Sequence, residues 1–187
     1  MARNFLMWPV LLVLFSGCAS TQVKTGHEEL SLDQHLPLRL AVAMNPEDLA
    51  LQEHHSYNAR FYFETFSWTQ EGKLVQAAAL TAFAPMVEQV LPHEEMLMPD
   101  LIIKVRGNSI FNPGMQYFYA DVTATGYLPN GEVVGTFQAE SVAKGVLAFH
   151  EQALEGAYVA AFQDIGRQFL ESGAMNRAMI QRDKVKR

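Results

Sequence analysis

The chain has one cysteine, Cys18, and it closes an apolar run near the N-terminus. With a single thiol no intrachain disulfide can form, so the fold must rest on a hydrophobic core and not on covalent staples. The segment before it, MARNFLMWPVLLVLFSG, has a short polar start with Arg3, apolar residues from Phe5 to Phe15, and the small residues Ser16 and Gly17. That is the plan of a secretory signal. A bilayer-spanning helix needs about twenty apolar residues, far more than this run supplies, so the segment reads as an export signal rather than a transmembrane anchor.

Phe15-Ser16-Gly17-Cys18 resembles the lipobox of bacterial lipoproteins, which usually carries Leu where this chain has Phe15. The resemblance implies that Cys18 is acylated, by palmitate-type chains, and becomes the mature N-terminus. Several acyl chains give stable anchoring, since each buried methylene contributes about 0.8 kcal/mol. Ala19 in place of Asp after the cysteine implies, by the sorting rule of enteric bacteria, transfer to the outer membrane, facing the periplasm.

Removing residues 1–17 leaves a chain of 170 residues, enough for one core that buries roughly 70% of the surface exposed on unfolding. The hydrophobic content of 49% suits a globular domain. The net charge of −6, more negative still once Arg3 leaves, argues against nucleic acid as a partner.

Residues 18–36 read as the lipidated cysteine and a flexible polar tether, 37–172 as the periplasmic domain, and 173–187 as a basic tail. Leu36 to Met44 reads as a buried strand, Pro46 to Asn58 as a connection or short helix, and Ala59 to Trp68 as an aromatic strand. Lys73 to Val90 has helical spacing, with Pro85 expected to kink or end it. Pro99 to Val105 reads as a central strand buried on both faces. Gly107-Asn108-Ser109 and Asn112-Pro113-Gly114 look like turns. Met115 to Leu128 and Val133 to Val142 read as a hairpin with Asn130-Gly131 at the centre of its turn. Glu151 to Leu170 carries an apolar stripe of Leu154, Tyr158, Ala161, Phe162, Ile165 and Phe169, the mark of an amphipathic helix. The expected fold class is α+β, a single domain on a mixed or antiparallel sheet of about five strands, with a central hairpin and two main helices packed on it.

Three polar clusters invite a metal reading: His27-Glu28-Glu29, Glu53-His54-His55 and His93-Glu94-Glu95. A metal needs three or four donors converging on one point, and none of these shows the His-Glu-x-x-His spacing. No Gly-x-Ser-x-Gly elbow or phosphate-binding loop is present in the sequence. No catalytic residue, metal or cofactor is therefore expected. The rings Phe61, Tyr62, Phe63, Phe66 and Trp68 form either a binding surface or the core side of a strand. Tyr117, Tyr119 and Tyr127 alternate onto the wet face of their strand and are the candidates for partner binding, provided that no helix covers them. The tail residues Arg177, Arg182, Lys184, Lys186 and Arg187 stand against Asp183 alone. A solvated terminus is the simpler account of them, and contact with anionic headgroups or an acidic partner is the other.

The order strand, aromatic strand, helix, central strand, hairpin, helix behind a lipobox, with Pro99-Asp100-Leu101-Ile102-Ile103 entering a strand and the Asn130-Gly131 hairpin, resembles small outer-membrane lipoproteins of the curli-secretion and Pel-polysaccharide type. That resemblance implies an envelope-assembly or export-accessory subunit, several of which form rings, and not an enzyme. The expected function is a non-enzymatic accessory lipoprotein with an envelope protein or a second copy of itself as partner. The alternative is a periplasm-facing binder of a saccharide or small molecule.

Overall fold

Apolar alternation in β1, Leu36–Ala43, directs Leu38, Leu40 and Val42 to one side, where all three are fully buried. The computed structural model describes residues 35–58, 64–112, 114–145 and 150–185, and the side chains of these except 54–58 and 64–68. All belong to one compact unit, Leu32–Arg187. Cys18 lies outside the described residues.

After β1 come α1 (Pro46–Leu49), β2 (Glu53–Asn58), β3 (Glu64–Thr69), α2 (Glu71–Phe83), β4 (Val87–Pro92), β5 (Leu101–Asn112), β6 (Tyr117–Tyr127), β7 (Val133–Lys144), α3 (His150–Glu171) and α4 (Ala174–Val185). The main sheet has the order β4-β1-β5-β6-β7, with β1 parallel to both neighbours and β5, β6 and β7 an antiparallel meander. This is the expected α+β class with a mixed five-stranded sheet. β2 and β3 form a separate antiparallel ribbon. Thus Pro46 to Asn58, expected as a connection or short helix, holds both a short helix and a strand.

α2 ends at Phe83, and a single 3-10 turn containing Pro85 leads into β4. The proline cannot donate the next helical hydrogen bond, so the break expected there occurs. Beyond it the helical spacing of Met86, Val87 and Val90 is coincidental, because Val87 and Val90 belong to a strand. β5 runs through Gly107-Asn108-Ser109, which is strand and not turn. It is also buried on one face only, since Leu101, Ile103 and Val105 are inside while Lys104 and Arg106 are exposed.

The turn between β6 and β7 differs from the expected one. Gly131 N–H donates to the Leu128 carbonyl, which places Pro129 and Asn130 at its two central positions. Gly131 alone there has positive φ, at +87°, and the strand register slips just beyond. This is the longer hairpin turn in which a left-handed residue follows a type I turn, and proline fits its first central position. A Cβ on Gly131 would meet nothing within 4 Å, so the conformation and not space demands glycine. Gly131→Val should lower stability by about 1 kcal/mol, measurable by thermal denaturation, and an unchanged Tm would refute the assignment.

α3 buries its whole predicted stripe, from Leu154 to Phe169, against β6, β7 and α2. Residues 174–185, read from sequence as tail, form α4 instead. Gly173 takes the left-handed conformation that ends α3, and Ser172 Oγ accepts the Ala174 N–H at the start of α4. Ala174, Met175 and Ala178 are buried in the core. The spacing of these small residues was masked in the sequence by the surrounding charges.

Candidate functional site

α2 and α3 cover one face of the sheet, where Phe118, Ala120, Val122 and Ala124 of β6 are buried. The alternate residues Tyr117, Tyr119, Asp121, Thr123, Thr125 and Tyr127 point the other way. Strand register sorts that second face into rows, of which Ile110–Tyr119–Val142 and Asn112–Tyr117–Lys144 lie together near one end. Ile110 is 64% exposed, Tyr119 39% and Val142 42%. The row Ile102–Tyr127–Val133 lies at the other end, eight residues along β6 from Tyr119, or about 27 Å. Polar pairs separate the ends: Thr125 Oγ1 lies 3.0 Å from Thr136 Oγ1, and Gln138 Nε2 donates to Asp121 at 3.0 Å. The structure therefore brings Tyr117 and Tyr119 together and sets Tyr127 apart. Ile110 and Val142, missed in the sequence, complete the apolar patch around Tyr119. They come from β5 and β7, and only strand register makes them neighbours of Tyr119.

A second feature lies under the base of the β2–β3 ribbon. Glu71, at the start of α2, is fully buried and accepts a hydrogen bond from the Tyr158 hydroxyl through Oε1. Gly72 makes this position reachable. Its N–H donates to the Leu51 carbonyl, and a Cβ there would fall 2.1 Å from the Asp48 carbonyl oxygen. Ser109 Oγ of β5 donates to Glu53 Oε2 at 3.4 Å. Thr69, paired with Glu53 across the ribbon, lies 3.2 Å from His150 Nε2 through its hydroxyl.

Burial holds the Glu53 carboxyl well above its ordinary value, up to about 7, with the Glu71 charge and hydrogen bond adding and Ser109 opposing. Burial and then Glu71 likewise push the Tyr158 hydroxyl up. The Glu53 carboxyl therefore favours its protonated form up to about pH 7. Glu71 Oε2 has no hydrogen-bond donor among the described residues. Glu71 and Tyr158 are fully buried, so these two present no surface to a substrate.

Among the described residues the sequence clusters are not brought together. His93, Glu94 and Glu95 are exposed on the crossover from β4 to β5. Glu53 joins the buried cluster, the side chains of His54 and His55 are outside the described residues, and so is the whole of His27-Glu28-Glu29. Among the described residues no group of three His, Cys, Asp or Glu could hold a metal ion. Phe66 and Trp68 lie on β3, opposite Ser56 and His54, while Phe61, Tyr62 and Phe63 are outside the described residues. Among those residues no helix is long and apolar enough to cross a membrane.

No family model matches the chain, and no curated protein does. Among solved structures, it is similar to protein XCC0632 of Xanthomonas campestris, of the DUF330 family, with a TM-score of 0.50 and 13% identity, covering 76% of this chain and 90% of that one. A candidate lipoprotein from Caulobacter crescentus matches at a TM-score of 0.37 and 13% identity, over 58% of this chain and 84% of that one. At such identity likeness speaks of fold alone, and what this chain shares with the Xanthomonas protein is its α+β architecture.

Proposed function

We propose that this chain is a non-enzymatic accessory lipoprotein of the bacterial envelope, anchored in the outer membrane through acylated Cys18 and working in the periplasm through protein contacts. The observation that carries the contact reading is the sheet face turned away from α2 and α3, with Ile110, Tyr119 and Val142 exposed in one cross-strand row. Large apolar side chains cost free energy when left in water, and a row of them rimmed by polar groups is what interfaces use. Tyr117 flanks this row, and Tyr127 with Val133 forms a second, smaller contact at the far end. The anchor reading is carried by Phe15-Ser16-Gly17-Cys18.

One experiment tests both parts in cells of a native host. A fatty-acid analogue should label the wild type and leave Cys18→Ser unlabelled, and equal labelling would end the anchor reading. In the same cells Tyr119→Ser should weaken co-purification of an envelope partner or of a second tagged copy, by about 2 kcal/mol, or roughly thirtyfold, if Tyr119 is an anchor. Tyr117→Ser and Tyr127→Ser should have smaller effects. Wild-type association by Tyr119→Ser at an unchanged Tm would refute the contact reading.

A further inference from the structure

Among the described residues β7 is an edge of the main sheet, and only part of that edge is covered. Gly145 N–H donates to the Gln116 carbonyl at 3.0 Å, which continues the β6–β7 ladder by one pair. In an antiparallel ladder the backbone groups of successive residues point to opposite sides of the strand. Those of Gln138, Glu140, Val142 and Lys144 therefore face outward, away from β6. Near its start the edge is capped: Gln168 of α3 donates to the Gln138 carbonyl at 3.1 Å, and Arg177 of α4 donates to the Val134 carbonyl. Over Glu140, Val142 and Lys144 no described residue takes up the outward N–H and carbonyl groups. An uncovered run of this kind is a template for another strand.

The side chains of the same three residues lie on the Tyr119 face, and all are exposed. Their charges are opposite about Val142, with Glu140 on one side and Lys144 on the other. Across the ladder Glu140 stands beside Asp121 of β6, and like charges directly opposite repel. Asp121 accepts from Gln138, and Arg106 of β5 pairs with Asp48 at 3.7 Å. Neither Glu140 nor Lys144 has an ion-pair partner among the described residues. This end of the strand is thus self-complementary: turned end for end about Val142, it sets Lys144 against Glu140.

We infer that a second copy of this chain occupies this edge, its β7 antiparallel to the first about a two-fold axis at Val142. The inference rests on the contact reading proposed above and deepens it, naming the partner at the Val142 end of the Tyr119 row. Val142 faces its own equivalent, and Glu140 and Lys144 face the partner's Lys144 and the partner's Glu140, as a two-fold axis requires. All three pairs are of the kind that exchanges both backbone hydrogen bonds, because all three residues face outward. The partner's Lys144 offsets the repulsion between Glu140 and Asp121, and the Ile110–Tyr119–Val142 rows of the two copies meet at the axis. Gln138, whose carbonyl is already held by Gln168, marks where the new ladder stops.

The test uses the purified full chain. Under copper-phenanthroline oxidation, Val142→Cys should give a dimer linked between two position-142 peptides, identified by mass spectrometry. Residues paired in this way have Cα atoms about 5.5 Å apart, within disulfide reach. Thr136→Cys, on the same strand and face, should give no such link, since this register holds the two copies of position 136 about 40 Å apart. In sedimentation equilibrium Glu140→Lys and Lys144→Glu should each weaken self-association about tenfold or more, because each sets two like-charge pairs beside the axis. The double variant E140K/K144E should recover it, and so should an equimolar mixture of the two single variants, which a merely structural defect would not allow. Absence of the 142–142 link, equal linkage at position 136, or failure of either rescue overturns the inference, and is the result expected if a strand of another protein occupies the edge. If that happens while Tyr119→Ser still loses its partner, the contact reading stands with a different partner. If Tyr119→Ser associates like the wild type, the contact reading ends, and the 142–142 link with the charge rescue still decides this edge.

Discussion

Truncating Phe169 to alanine is expected to lower the free energy of unfolding by about 3–5 kcal/mol. Phe169 is fully buried, and its ring meets that of Phe137 edge-on with centroids 4.6 Å apart. It sits over Gly126 of β6, where a Cβ would come within 2.7 Å of the Phe169 ring. The bare glycine creates the recess, and the phenylalanine fills it. Removing the ring leaves a void between α3 and the sheet, because neighbouring strands cannot collapse into it without breaking their pairing. Chemical denaturation at fixed pH measures the loss. A change below about 1 kcal/mol would mean that α3 does not pack on β6 in this register.

Stability is expected to fall as pH rises from about 4.5 to about 7, and Glu53→Gln should abolish that fall. The folded protein holds the Glu53 proton up to about 7, against 4.5 as the ordinary value. Between those values the folded chain binds more protons than the unfolded chain, so each step up in pH favours unfolding. A shift of that size corresponds to about 3 kcal/mol, and partial exposure of Glu53 with solvent screening reduces it to about 2 kcal/mol. Glutamine keeps the shape and a donor for Glu71 without the charge. The variant should match the wild type near pH 4 and exceed its stability by about 2 kcal/mol near pH 8. Parallel stability curves for the two proteins would show that the fold does not hold the Glu53 proton above its ordinary range. Since Glu53 opens β2, the same titration should loosen the base of the ribbon first, which exchange of the residue 53 and 69 amides can follow.

Local pattern was enough for β1, for the β6–β7 hairpin and for α3. In each of them hydrophobic spacing and burial coincide, because the element packs one continuous stripe against its neighbours. The hairpin turn was located correctly but assigned the wrong geometry, since Pro129 at the first central position moves Gly131 one place along. β4 escaped notice because its apolar residues continue the helical spacing of α2 past Pro85. α4 escaped because its buried face is made of small residues, Ala174 and Ala178 with Met175, set among arginines. The wet tyrosines were legible from alternation in β6. Their neighbours Ile110 and Val142 were not, because they come from other strands.

The sequence by itself determined the absence of any intrachain disulfide, the α+β class and the faces on which β1, β6 and α3 would bury. These follow from local periodicity and composition, which the chain carries wherever it folds. Only the tertiary structure decided that Glu53, Glu71, Ser109 and Tyr158 share one buried site, although Glu53 and Tyr158 stand far apart in the chain. It also decided that Tyr119 joins Ile110 and Val142 while Tyr127 does not. The physical reason is the same in each case: strand register and helix docking set which distant residues meet, and both depend on the packing of the whole core.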